Sequence, residues 1–360
     1  MSADPTTNDG GAAARPGGVA TTQLAPGGGR VTRRRRRRPV VVGFALAAAL
    51  LALTVVALGV GDLPLTPVEV LRAATGQEGF ASTVVLEWRL PRVSAALVFG
   101  AALAVAGALF QTLTRNPLGS PDIIGFSTGA YTGVLVATVA VGGGLVGATG
   151  GALLGGLGTG VLVYLLAWRG GVQGFRLIIV GIAVTAALHA VNSWILLRAE
   201  TEQAMTAAIW GSGSLSLASW SDVVPAVSVV LAALPLLLLS VRPMRQLELG
   251  DDVAASHGVH VERTRLLVLG VGVLLTALVT ATTGPIAFVA LSAPQIARRL
   301  ARSPGIPLVH SALTGAFVLL GADLLAQHTL AQPVPVGTVT VVLGGAYLAW
   351  LLAAEPRKGR

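Results

Sequence analysis

Apolar and polar positions do not alternate along most of this chain. The apolar residues run in long unbroken stretches, near 40–61, 93–113, 122–142, 145–168, 176–198, 221–241, 261–283, 286–300, 308–327 and 335–354. A helix that is apolar on every face cannot lie half in water, and at about 1.5 Å per residue most of these runs can cross a hydrocarbon core about 30 Å thick. The eighth is short and opens with Gly284-Pro285, which predicts a kinked, tilted or protein-shielded segment. The pattern therefore predicts an all-α integral membrane protein of about ten transmembrane helices in one domain over residues 40–354.

The polar stretches set the ends and the orientation. Residues 1–32 are rich in Gly, Ala, Thr and Pro and hold almost no large apolar side chains, so disorder is expected. Arg33–Arg38 then abuts the first apolar run. That run is longer than the apolar core of a cleaved signal peptide, usually about 7 to 15 residues, and reads as a span. With the N-terminus inside, 21 of the 25 basic residues fall on the cytoplasmic side and only Arg72, Arg89, Arg92 and Arg198 fall outside. One missing or extra span would invert everything beyond it, so both termini are expected in the cytoplasm. Residues 1–39 form a basic cytoplasmic tail in this reading, and 355–360 a short C-terminal one.

Composition narrows the function. The chain is 53% hydrophobic and only 11% charged, too few charges to cover a water-soluble protein of this size. Cysteine is absent, which removes disulfides, thiolate metal sites and cysteine nucleophiles. The only lysine is Lys358, so no phosphate loop ending in Gly-Lys-Ser/Thr exists; the chain does not hydrolyse ATP by that chemistry, and ATPase activity is expected in a separate subunit. Of the formal net charge of +9, residues 1–39 carry +6. Arginines beside a span are topology determinants drawn to anionic lipid at about 1 kcal/mol each, and no nucleic-acid partner is expected. His257 and His260 lack a third ligand nearby, so no metal site and no cofactor are expected. No paired carboxylates or nucleophile constellation stand out, which suits a conduit better than an enzyme. Gly147, Gly151 and Gly155 recur at helical spacing and predict close helix packing.

Several motifs lie between and within the spans. Glu87-Trp88-Arg89-Leu90-Pro91-Arg92 precedes the second span, and Gln111 to Gly125 follows it with Arg115-Asn116-Pro117-Leu118-Gly119-Ser120-Pro121. Trp210-Gly211-Ser212-Gly213-Ser214-Leu215, Leu249-Gly250-Asp251-Asp252-Val253-Ala254 with Gly258-Val259, Gly284-Pro285-Ile286-Ala287-Phe288-Val289 with Ala293-Pro294, and Ala322-Asp323 with Pro335-Val336-Gly337 come after. In this order and spacing, over about residues 40–354, they resemble the FecCD-type permeases, the membrane subunits of ABC importers for iron-siderophores, haem and cobalamin. The resemblance implies a cobalamin-importer-like permease fold in a bacterial cell membrane. It also implies two ATP-binding subunits, an extracytoplasmic substrate-binding protein and a second permease protomer, identical or related. An iron-siderophore chelate carried by alternating access is the favoured function, with haem or cobalamin as alternatives. An ion-coupled secondary transporter is the competing class, but it would need functional charges near the midplane, and Asp323 alone is thin support.

Site residues follow from the same comparison. Arg89 and Arg92, at a Leu-Pro corner on the outer side, can pair with carboxylates or anchor by snorkelling; the resemblance makes them the docking point for the binding protein. The position where a third basic residue usually follows Ala-Asp is Gln327 here, followed by His328. Leu249, Gly250, Asp251, Asp252, Ala254 and Gly258, within the cytoplasmic segment 247–260, correspond to the segment that couples to the ATPase. Gln173, Gly174 and Phe175 correspond to the cytoplasmic gate. His189 and Asn192, three residues apart in the fifth span, face the pathway or bond another helix. Asp323 and Gln111 are the other costly polar groups within spans, Asp323 suiting structural pairing better than substrate contact. Gln295 and Gly345-Ala346-Tyr347 depart from the residues many members carry. Asn116-Pro117 predicts a turn.

Overall fold

The computed structural model describes residues 28–77, 79–140, 142, 144–168, 174–329 and 332–354. The chain divides into two units after Arg37. The first contributes only the opening residues of α1 (Gly28–Gly59) to the description, and the remaining elements belong to the second. Of the predicted basic tail, 1–39, residues 1–27 lie outside the described residues and 28–39 fall within α1; the predicted C-terminal tail, 355–360, also lies outside them.

Every element among the described residues is helical. After α1 come α2 (Pro67–Ala74), α3 (Phe80–Thr83), a π-helical turn (Val84–Arg89), α4 (Leu90–Thr114), α5 (Pro121–Ile124) and α6 (Phe126–Leu135) with a π-helical extension (Val136–Ala140). Then follow α7 (Gly144–Ala167), α8 (Gly174–Arg198), α9 (Thr201–Gly211), α10 (Trp220–Leu247) and α11 (Asp251–Ser256). The last four are α12 (Val261–Thr283), α13 (Val289–Ala301), α14 (Leu308–His328) and α15 (Val336–Ala354).

Each of the ten predicted segments contains a helix. Seven helices among the described residues are long and apolar enough to cross a membrane, and Phe126–Val139 and Val336–Leu351 are shorter apolar helices. The second segment starts earlier than expected: α3, the π turn and α4 form one continuous helical rod from Phe80 to Thr114. The third is broken near its start by Gly125, in the left-handed region at φ 95°.

α4 is the hub, packing against α14, α12, α13 and α10. Its sequence explains this, because Ala and Gly occupy the crossing points and large side chains would hold neighbours away. A Cβ at Gly107 would strike the Ala290 carbonyl of α13, and one at Gly100 would strike Gly315 of α14. Between α6 and α7, Gly151 and Gly155 meet Gly133 and Gly129, whereas Gly147 has open space around it.

The short eighth segment is shielded by protein. α12 ends at Gly284, whose φ of 74° and close approach to the Trp210 carbonyl both exclude a side chain. The chain stays irregular until Phe288, at φ 68°, and then enters α13. Polar backbone at this depth is satisfied internally: Ser214 N donates to Thr283 O at 2.8 Å and Gly337 N to Gly213 O at 3.0 Å.

Candidate functional site

The predicted outer face is built where the π turn runs into α4, with Arg89 ending the turn and Arg92 in the first turn of the helix. Arg89 turns back to α1, donating from Nη1 to Leu58 O at 2.8 Å and from Nη2 to Leu63 O at 2.7 Å. It thereby satisfies a carbonyl that the end of α1 would otherwise leave unpaired. Arg92, one turn on, grips Asp323 of α14 bidentately, with Nε to Oδ2 and Nη2 to Oδ1 both at 2.9 Å. Gln327 adds a third donor, Nε2 to Asp323 Oδ2 at 2.7 Å. Asp323 is buried, so this fork is what allows a carboxylate to sit at that depth. A cleft of about 600 Å³ beside it is lined by Asp62, Trp88, both arginines, Gln327 and His328 among others. The sequence pointed to structural pairing for Asp323 without naming the partner. The usable signal was that an intramembrane acid requires a cation, and Arg92 is the one basic residue within α4.

The opposite face carries the segment 247–260. Gly250, at φ 123°, lets the chain leave α10 and start α11. Asp251 in the first turn of α11 receives two guanidiniums, Arg115 Nη2 at 2.6 Å and Arg265 Nη2 at 2.7 Å. Arg115, itself left-handed at φ 50° just beyond α4, also donates from Nε to Leu247 O at 3.1 Å. Ala254 is fully buried under the helix, while Leu249, Asp252 and Val253 are exposed and Gly258 turns the chain at φ 80°. His257 bonds Gln246 through Nδ1 at 2.8 Å. Among the described residues, no cluster of His, Asp and Glu could hold a metal.

The remaining candidates are less unified. Gln173 lies outside the described residues. Gly174 opens α8 against the Thr114 backbone, too close for a Cβ, and Phe175 beside it is 75% exposed. His189 is exposed and Asn192 buried, so the two do not form one polar site within the chain. Both amide atoms of Asn192 lack a hydrogen-bond partner. Gln111 and Gln295, noted separately in the sequence, belong to one network: Gln295 Nε2 donates to Gln111 Oε1 at 2.7 Å, and Gln111 Nε2 donates to Leu291 O at 2.9 Å. The expected turn at Asn116 is made by Leu118 N donating to Asn116 Oδ1 at 2.9 Å.

Set beside known proteins, this arrangement has clear kin. The chain is 51% identical over 300 residues to the ferric enterobactin transport system permease protein FepG of Escherichia coli K12, covering 83% of this chain and 91% of that one. It is 35% identical over 308 residues to the iron(3+)-hydroxamate import system permease protein FhuG of Bacillus subtilis 168, covering 82% and 92%. A solved structure of a metal-chelate type ABC transporter in an inward-facing conformation superposes with a TM-score of 0.76 at 28% identity, covering 88% of this chain and 99% of that chain. Residues 40–354 match the FecCD transport family, and this chain, a multi-pass membrane protein, belongs to that family.

Proposed function

We propose that the chain is the permease subunit of an ATP-driven importer that moves an iron-siderophore chelate into the cytoplasm by alternating access. The observation that carries this is the 51% identity to an enterobactin permease, spanning 83% of this chain and 91% of that one. The chain itself is the conduit: it has no Gly-Lys-Ser/Thr phosphate loop, and ATP hydrolysis belongs to two copies of a separate subunit. A second permease protomer completes the pathway, and an extracytoplasmic binding protein delivers the cargo. The cell membrane of a bacterium is the proposed location, with the basic tail 1–39 and the C-terminal residues 355–360 in the cytoplasm.

The site residues take proposed roles in this scheme. Arg89 and Arg92 form the docking corner; Arg92 uses Nε and Nη2 on Asp323 and keeps Nη1 for an acidic residue of the binding protein. Leu249, just before α11, and Asp252 and Val253 on its exposed face meet the ATPase, while Asp251, Ala254 and the two glycines hold that helix in place. Gln173, Gly174 and Phe175 close the cytoplasmic end of the pathway, where a bare phenyl ring can block a pore sterically and by dewetting. His189 and Asn192 on α8 line the pathway or meet the second protomer.

The test is uptake of labelled iron-siderophores, haem and cobalamin by iron-starved cells with and without this chain, repeated after ATP depletion and after uncoupling. Selective loss of an iron-siderophore, sensitive to ATP depletion, is expected. Selective loss of haem or cobalamin would move the cargo assignment to that ligand. Collapse on uncoupling with ATP intact would overturn the ATP-driven mechanism.

A further inference from the structure

A groove of about 740 Å³ runs down one side of the bundle between α4, α10, α12 and α14, away from the residues discussed above. Its floor is buried and apolar, formed by Ala102, Ala233 and Leu275 among others, and its rim holds the exposed side chains of Leu234, Leu238 and Val309. Polar lining is confined to one end, where Arg245, Ser303 and His310 lie. His310 already bonds Pro39 O through Nε2 at 2.8 Å. Arg245 is exposed and, among the described residues, has no hydrogen-bond or ion-pair partner, Glu248 three residues on included.

The dimensions identify an occupant. Along α10 the apolar lining extends from Val230 to Val241, about 16 Å at 1.5 Å per residue. That is about the hydrocarbon depth of one leaflet, half of a core about 30 Å thick. Arg245 follows one turn later on the same face, about 6 Å further, where a headgroup would lie if the apolar lining spans one leaflet. A cation at the head of a leaflet-deep apolar groove matches a phosphate joined to acyl chains. We propose that this groove holds an anionic phospholipid of the surrounding bilayer, with an acyl chain against α10 and α4 and its phosphate paired with Arg245. The inference needs only that the chain crosses a membrane; it is independent of cargo, ATPase and binding protein.

The test uses the purified full-length chain equilibrated with equimolar phosphatidylglycerol and phosphatidylcholine, with retained lipid read by native mass spectrometry. The wild type should retain phosphatidylglycerol about fivefold over phosphatidylcholine, the preference expected of one basic residue at the membrane surface. Arg245→Gln should bring that ratio to about one, and Ala233→Phe, which fills the floor, should remove both lipids. Equal retention by the wild type, or an unchanged ratio in Arg245→Gln, would overturn the proposal. A change of oligomeric state in Ala233→Phe would overturn it too, by assigning the groove to contact between copies. Arg245 is exposed, so Arg245→Gln carries the test even where Ala233→Phe does not fold.

Discussion

α4 and α8 are both 25 residues long and comparably apolar, yet they sit in opposite surroundings. In the rod that contains α4, 78% of the most apolar 18-residue window is buried inside the chain; in α8 the figure is 17%. α4 has small residues where it crosses its neighbours, whereas α8 turns Ile179, Ile182, Trp194 and Leu197 outward. The difference separates two situations: α4 is what this chain folds around, whereas most of α8 is exposed and is not covered by the rest of the chain. Membrane burial does not tell these apart by hydrophobicity, because lipid is as apolar as a helix interior.

The sharpest way to break the comparison is to enlarge a side chain at a crossing point. Gly107→Leu should abolish recovery of folded, monodisperse protein, since even a Cβ there strikes the Ala290 carbonyl. Gly158→Leu, on α7 with nothing within 4 Å, should leave recovery close to wild type. Similar size-exclusion profiles for the two variants would remove α4 from its central place.

The next effect belongs to the fork on Asp323. Arg92→Leu leaves a buried carboxylate without its cation and should cost about 3–5 kcal/mol, read from unfolding in detergent. The double variant Arg92→Leu/Asp323→Leu should recover most of that loss. Its uptake then reports on docking separately from stability: full transport by a stable double variant would remove Arg92 from the docking role.

On α8 the expectation reverses. Asn192→Leu deletes an amide that has no partner in the chain, so stability should stay within about 1 kcal/mol of wild type or rise slightly. Uptake should fall several-fold if the amide meets cargo or the second protomer. A large stability loss would show α8 to be as self-contained as α4.

The smallest effect lies outside the apolar spans. The Thr66 backbone N–H, and then its hydroxyl, hold Glu69 below the usual carboxylate range in a capping box at the start of α2. A lowered value means the cap stabilises α2 above about pH 4.5, the ordinary glutamate value, and loses that contribution as the pH falls through the lowered one. Faster hydrogen exchange at Val70 and Ala73 near pH 3 than at pH 6, corrected for intrinsic rates, is the expected signature.

Much of this architecture was legible in the sequence because a bilayer imposes a length rule. Runs of about 20 apolar residues can only be helices, and Gly284-Pro285 announced the short segment that contains α13. Which helix would be the hub was not legible, since α4 and α8 satisfy the same rule. The sites were legible as chemistry but not as partnerships. Arg92 and Asp323 stand 231 residues apart, and Asp251 joins Arg115 to Arg265 across two helices. Both are contacts that helical periodicity along one segment cannot announce. Asn192 had a visible neighbour in His189, yet the three-residue spacing did not reveal that one would be buried and the other exposed.

The link at Asp251 has a mechanical side. One carboxylate holds Arg115, just past the end of α4, and Arg265, in the first turns of α12, at 2.6 and 2.7 Å. α11 is therefore lashed to two of the rods around which the second unit is built. If α11 is the segment an ATPase pushes, as proposed above, a load on its exposed face would reach both rods through that one carboxylate, and α11 would act as a tiller rather than a loose flap.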